Sequence, residues 1–204
     1  MPLTIPSAIS RLLLPPKMNP DPAKLRLVTY PHKALSQKAE PFPIQGISQT
    51  EIQPALAYAE RLKVVLRSMG ERGIGLAANQ IGLLKRVFVA YADLNTVSES
   101  KQPPSDLQAY INPVILSESG EPEPYQEGCL SFPGIRGNVM RRPRLTLGYY
   151  DESGKWQQIE TDGLHARCCR HEIDHLDGIN IIDKFDLVTF SENAAAIKRL
   201  KARG

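Results

Sequence analysis

The chain has 204 residues, 42% of them hydrophobic and 23% charged, which is the balance of an ordinary soluble globule large enough for one well-buried domain. Its formal charge of +3 is too small to argue for nucleic-acid binding, and no run approaches the roughly 20 apolar residues of a membrane span. Its three cysteines have no paired spacing, so they do not make a disulfide framework.

Near the start, Leu12-Leu13-Leu14 is followed at once by Pro15 and Pro16. That run is too short and too broken for a signal-peptide core. Residues 1–23 read as a flexible extension and residues 24–204 as a single domain. A transit peptide within residues 1–20 is the weaker reading, because no sustained amphipathic arginine pattern is present. The expected location is the cytoplasm. Ser48-Gln49-Thr50-Glu51 forms a capping box. After it Ile52, Leu56, Ala59, Leu62, Leu66 and Met69 keep helical spacing as far as Gly70. Gly73-Ile74-Gly75-Leu76-Ala77-Ala78-Asn79-Gln80 follows. A dinucleotide fingerprint would need a third glycine where Ala78 stands, and no Walker lysine follows. A turn between helix and strand is the plain reading of this segment.

Residues 86–91 read as a strand, 92–108 as a polar, Pro-bearing loop or insertion, and 111–116 as a strand broken by Pro113. Residues 144–150 and 155–161 alternate around Asp151-Glu152-Ser153-Gly154, a hairpin pattern. Asp162 suits the N-cap of the next helix and Gly178 its stop. A final helix is expected from Ser191, favoured by Ala194, Ala195 and Ala196. No internal repeat is visible. Basic residues gather at 136–144 and at Lys198, Arg199, Lys201 and Arg203. A solvated face is the plain explanation, and a transient ribosome contact the functional one.

The helix expected to end at Gly178 carries His171-Glu172-Ile173-Asp174-His175. Positions four apart share one helix face, with Cβ atoms roughly 5–6 Å apart, so both imidazoles can hold one metal ion. Glu172, about 100° around the helix, can reach a water beside it. This H-E-x-x-H arrangement is the signature of metal-assisted hydrolysis with the glutamate as general base. A catalytic site of this kind takes three protein ligands. The metzincin continuation supplies Gly178 but no third histidine, and Asp183, Asp186 and Glu192 have no distinctive setting. Cys168 shares the helix face, but Cys168, His171 and His175 would span about 10 Å along the axis. One ion bound at roughly 2.0–2.3 Å cannot bridge that. Cys129 lies in Glu127-Gly128-Cys129-Leu130-Ser131-Phe132-Pro133-Gly134, a turn-rich segment, and can close the coordination sphere from the side. It is the preferred third ligand, and Cys168 and Cys169 read as core. Glu127 suits a partner for a metal-bound histidine and equally a surface carboxylate. The whole reads as α+β, with short antiparallel sheets packed around a central metal-binding helix, a capped helix in the N-terminal half and a C-terminal helix.

Three segments, taken in order, resemble the signature motifs of the peptide deformylases: Gly73 to Gln80, Glu127 to Ser131 and His171 to His175. Tyr30, Pro31 and Leu35 resemble the family's N-terminal segment, so the likeness runs over roughly residues 24–190. The resemblance implies a hydrolase that removes the formyl group from N-formylmethionyl nascent peptides and releases formate; a monomer is expected. It implies Cys129, His171 and His175 as ligands of one divalent metal ion per chain, with Fe2+ native and Zn2+, Ni2+ or Co2+ as substitutes. It makes Glu172 the general base and then the general acid. Gln80 and the backbone N–H of Leu130 become the oxyanion donors, and Gly75 a backbone partner of the substrate. Ile74, Tyr125, Leu164 and Cys168 fall at methionine-pocket positions, and Arg136 near the substrate's downstream end. No membrane and no specific nucleic acid is expected as a partner. A zincin-like endopeptidase using the same five helix residues, or a structural metal site, are the alternatives.

Overall fold

The computed structural model describes residues 26–44, 49–70, 73–92, 94–97 and 106–203. The expected extension at 1–23 and Ser48 of the expected capping box lie outside them. Helix α1 spans Gln49–Ser68 and leads into β1 (Gly75–Ala77), a 3-10 turn (Ala78–Ile81) and β2 (Val87–Tyr91). A single helical turn, α2 (Leu94–Val97), precedes β3 (Leu107–Ser119). Next come β4 (Glu123–Gly128), β5 (Arg136–Arg141), β6 (Arg144–Tyr150), β7 (Trp156–Asp162), α3 (Gly163–Leu176) and α4 (Leu187–Lys201). The strands form an antiparallel five-stranded sheet in the order β1-β2-β3-β6-β7 and a separate ribbon of β4 and β5. The α+β reading of the sequence holds. Among the described residues no helix is long and apolar enough to cross a membrane.

Strand β2 shows why the main sheet is covered on both faces. Successive side chains of a strand point to opposite sides. Val87 and Val89 join Ile52, Ala55, Ala59, Leu62 and Leu66 of α1 in one core. Phe88 and Ala90 join Ala166, Cys169, Ile173 and Leu176 of α3 in the other. A strand buried on both faces reads as a continuous apolar run, which Val87-Phe88-Val89-Ala90 is. Each fully buried Leu or Ile of the α1 stripe contributes roughly 1.5–3 kcal/mol of burial. Helix α3 therefore lies between the main sheet and the β4–β5 ribbon, and α4 closes a third cluster against Phe132, Ile135 and Val139.

Two elements differ clearly in extent from the sequence reading, each for a physical reason. The strand expected at 111–116 runs from Leu107 to Ser119, so the end of the expected 92–108 loop is strand. Pro113 does not break it. The register shifts between Ile111 and Val114, and Asn112 takes the strain at φ +48°, a conformation asparagine tolerates. The Asn112 amide exchanges two hydrogen bonds with the Phe42 backbone at 2.8 and 2.9 Å, which pins the bulge. Helix α4 begins at Leu187 rather than Ser191, because Asp186 caps it by accepting from the Thr189 N–H at 2.7 Å. Asp162 sits at the N-cap of α3 as expected, but its side chain makes no cap bond. Asn95 of α2 does so instead, its Oδ1 accepting from the His165 N–H at 3.1 Å. The expected stop at Gly178 is a Schellman motif with Gly178 at φ +75°. The Gly178 N–H donates to His175 O and the Ile179 N–H to Asp174 O.

Candidate active site

Both ends of α3 are thus fixed, and its middle carries the H-E-x-x-H residues. The two imidazoles sit with ring centroids 5.0 Å apart and planes at 78°. Cys129, on the loop that leaves β4, brings its Sγ to 3.1 Å from His175 Nε2. One ligand atom from each of Cys129, His171 and His175 falls within a cluster 4.8 Å across. Donors held by one ion at about 2.0–2.3 Å need separations of that order, so a thiolate and two imidazoles fit a single first-row divalent metal. Among the described residues no fourth His, Cys, Asp or Glu joins them. Burial, with the charges of His171 and Arg141, pushes the His175 pKa down, leaving the ring neutral and ready to coordinate. Cys168 is outside the cluster, buried with Cys169 in the core between α3 and the sheet.

Glu172 is 4% exposed, and its Oε2 has no hydrogen-bond partner among the described residues. Burial pushes its carboxyl up to about 7 in the metal-free site, against the lowering effect of His171. Gln80 is held in one orientation. Its Oε1 accepts from the Ala77 N–H at 2.8 Å, so its NH2 must face Ser131 Oγ at 3.3 Å and Cys129 Sγ at 3.6 Å. Gly75 lies against α3 with no room for a side chain. A Cβ there would stand 2.7 Å from Cys168 Sγ and 2.8 Å from Glu172 Oε1.

A cleft of roughly 730 Å³ opens over these groups. It is lined by Gln80, Cys129, Leu130, His171 and Glu172, and also by Ile74, Gly75, Tyr125, Arg136, Leu164 and Cys168. His175 lies behind it, 1% exposed. One face of α3 supplies a wall at helical spacing: Leu164, Arg167, Cys168 and His171. Among the described residues strands β1 and β4 each pair on one side only, and residues of both line the cleft.

The sequence reading did not single out Arg141 or Arg167 as site residues. Arg141 fell within the basic stretch at 136–144, read as a solvated face; it is instead 7% exposed and pairs with Glu127 and Asp174. Arg167 stacks over the Tyr125 ring with its Cζ 4.9 Å from the centroid and donates to Glu123 O at 3.0 Å, tying α3 to β4. Of the two readings of Glu127, the structure has the one facing the histidine. Its Oε2 lies 3.1 Å from His171 Nδ1.

Burial alone would raise the Glu127 carboxyl, but hydrogen bonds from His171 and Arg141 and the Arg141 charge together hold it at about 2. A carboxyl depressed in the folded state stabilises the fold above its unfolded value, about 4.3, and loses that contribution as pH falls through its folded value. Metal-free protein is expected to lose on the order of 3 kcal/mol of stability by this route between about pH 5 and about pH 2. Urea unfolding across that window checks it. Glu127→Gln should start less stable at neutral pH and lose less on acidification, and equal slopes for the two proteins would contradict the assignment.

An α3 helix bearing two histidines and a glutamate, laid between an antiparallel sheet and a ribbon whose exit loop brings in a cysteine, defines the structural class: α+β proteins with a Cys/His/His donor cluster of the H-E-x-x-H type. The sequence profile of the polypeptide deformylase family matches residues 24–190, and the chain belongs to that family. It is 40% identical over 162 residues to peptide deformylase 2 of Xanthomonas campestris, across 79% of this chain and 86% of the relative. It is 44% identical over 121 residues to a peptide deformylase of Prochlorococcus marinus; that match spans 59% of this chain and 57% of the relative's length. A peptide deformylase from Plasmodium falciparum superposes with a TM-score of 0.72 at 29% identity, covering 87% of this chain and 96% of the other. A Synechococcus elongatus peptide deformylase in complex with actinonin gives 0.68 at 31% identity, covering 87% and 86%.

Proposed function

We propose that the protein hydrolyses the N-formyl group of peptides that begin with formylmethionine, releasing formate and a free amino terminus. The observation that carries this reading is the meeting of three features at one cleft. These are the Cys129–His171–His175 donor cluster, the unpartnered buried Oε2 of Glu172, and a Gln80 amide locked with its N–H groups toward the cluster. A formamide is a weak electrophile and water a weak nucleophile. When bound, a divalent metal polarises the carbonyl and lowers a water's pKa toward about 7. We take Fe2+ as the native ion, with Zn2+, Ni2+ or Co2+ able to occupy the same donors.

The chain's own groups do the rest. Glu172 takes the proton from the attacking water and returns it to the leaving nitrogen. The Gln80 NH2, with the Leu130 N–H, stabilises the oxygen that becomes negative. A peptide extended along the free edge of β1 at Gly75 is held by backbone bonds, which do not read side chains. That suits an enzyme acting on many different chains. Leu164, Cys168, Ile74 and Tyr125, which line the cleft, take the methionine side chain, and Arg136, also in its lining, meets the downstream residues.

Gln80→Leu is expected to lower kcat about 10²- to 10³-fold with little change in KM, because the donor it loses acts on the developing charge. Steady-state kinetics with formyl-Met-Ala-Ser measures it, and a rise in KM at unchanged kcat would remove Gln80 from that role. The same peptide tests the function. Equimolar formate and free Met-Ala-Ser are expected, with casein left intact. Cleavage of casein or of the internal peptide bonds without formate would favour the peptidase reading.

A further inference from the structure

We propose that Arg141 is a positioning residue for the metal centre, orienting His171 through Glu127 and fixing the ligand helix through Asp174. The inference rests on the reading of Cys129, His171 and His175 as metal ligands. Arg141 comes from β5. Its Nε donates to Glu127 Oε1 at 2.6 Å and an Nη to Oε2 at 3.0 Å, a two-bond fork. Its other Nη donates to Asp174 Oδ2 at 2.7 Å. Asp174 lies in α3 between the two histidines. The Arg141, Glu127 and Asp174 side chains are 5–7% exposed. Glu127 Oε2 also meets His171 Nδ1 at 3.1 Å.

The chain of contacts has a chemical direction. An ionised carboxylate only accepts, so His171 Nδ1 carries the proton, which leaves Nε2 as the nitrogen that can face the metal. The ring orientation is then only as well defined as the position of Glu127. That carboxylate is buried, and without its fork it would be left with poorly compensated charge and freedom to turn. Arg167 approaches Glu127 Oε1 at 3.7 Å, while Arg170 pairs with Asp174 and Lys184 stands 3.9 Å from it. These cations offset charge, but among the described residues only Arg141 reaches both carboxylates. It therefore couples β4, through the carboxylate that holds one ligand, to the helix that carries both histidines. A lysine places one compact donor and cannot make the planar fork.

The test is metal affinity. Metal-stripped protein competes with a chromophoric chelator for Zn2+, and the ligand-field bands of the Co2+ form report the geometry. Arg141→Met and Arg141→Lys are each expected to weaken Zn2+ binding roughly 10- to 100-fold and to shift the Co2+ bands. Glu127→Gln should do the same, and Glu127→Gln/Arg141→Met should be no weaker than the weaker single variant to within about twofold. Arg86→Met breaks an ion pair of 2.7 Å to Asp177 at the end of α3. It should lower the melting temperature and leave Zn2+ affinity alone. If Arg141→Met does not fold, Arg141→Lys carries the reading. Wild-type affinity with unshifted bands in a folded Arg141 variant would overturn the proposal, as would losses that multiply in the double variant. Wild-type protein that binds no Zn2+ would instead overturn the ligand assignment itself.

Discussion

Glu172→Gln is expected to lower kcat for formate release by about 10²- to 10⁴-fold, the span of a lost general acid–base, while the protein keeps its metal. Glutamine has nearly the same shape, so the 4%-exposed site should neither collapse nor open. What it lacks is a group that can take a proton. The proposed ligands are Cys129, His171 and His175, and Glu172 is not among the clustered donors, so metal content should not fall. The wild type is expected to show a bell-shaped pH profile, and the variant to lose its acidic limb, because that limb reports the base. Elemental analysis beside stopped-time formate assays separates the two effects. Turnover within about tenfold of wild type would take Glu172 out of the mechanism, since that is below the usual contribution of such a base.

Gly75→Ala should damage activity out of proportion to the single methyl it adds. The added Cβ would lie 2.7 Å from Cys168 Sγ, 2.8 Å from Glu172 Oε1 and 3.0 Å from Glu172 Cγ. Separations below 3.0 Å cannot be kept, so Glu172 must move, β1 must shift, or both. Overpacking of this kind costs about 1–3 kcal/mol of stability. Displacing a proton-transfer group by about 1 Å can cost 10²-fold in rate. We therefore expect kcat/KM to fall about 10²-fold or more, with a melting temperature lowered by several degrees and the protein still folded. Gly75→Ala/Cys168→Ala removes the sulfur contact but not the Glu172 one, so it should regain stability more than rate. Full activity in Gly75→Ala would mean that the Glu172 carboxylate does not need the position described.

The local signals that the chain order preserves were legible in the sequence. The His171–His175 spacing, the glycine at 178 and the Asp151–Gly154 turn all act within a few residues. Asp151, for example, accepts from the backbone N–H groups of Ser153 and Lys155 at 2.8 and 3.0 Å. The β4–β5 ribbon was not legible. Glu123 to Glu127 show no apolar alternation, and the two strands are joined by the long Cys129-bearing loop rather than a tight turn. The extent of β3 was hidden by Pro113, since the bulge that absorbs it depends on Asn112 meeting Phe42, 70 positions away. Arg141 was hidden for the same kind of reason. Within an arginine-rich run it resembles its exposed neighbours Arg142 and Arg144. Its burial is decided by Glu127 and Asp174, which lie 14 and 33 positions away. The two histidines and the glutamate are thus carried by spacing, while the groups that orient them are set by tertiary contacts.

The most direct test is a metal titration of activity. Protein purified without oxygen is stripped with a chelator, then reconstituted with Fe2+ or Zn2+ in fractional steps, and formate release from formyl-Met-Ala-Ser is measured at each step. The account predicts negligible release from the stripped protein and a linear rise that ends at one ion per chain, abolished in Cys129→Ala. Release that persists in the stripped protein would contradict it, as would one bound ion per chain with no formate produced.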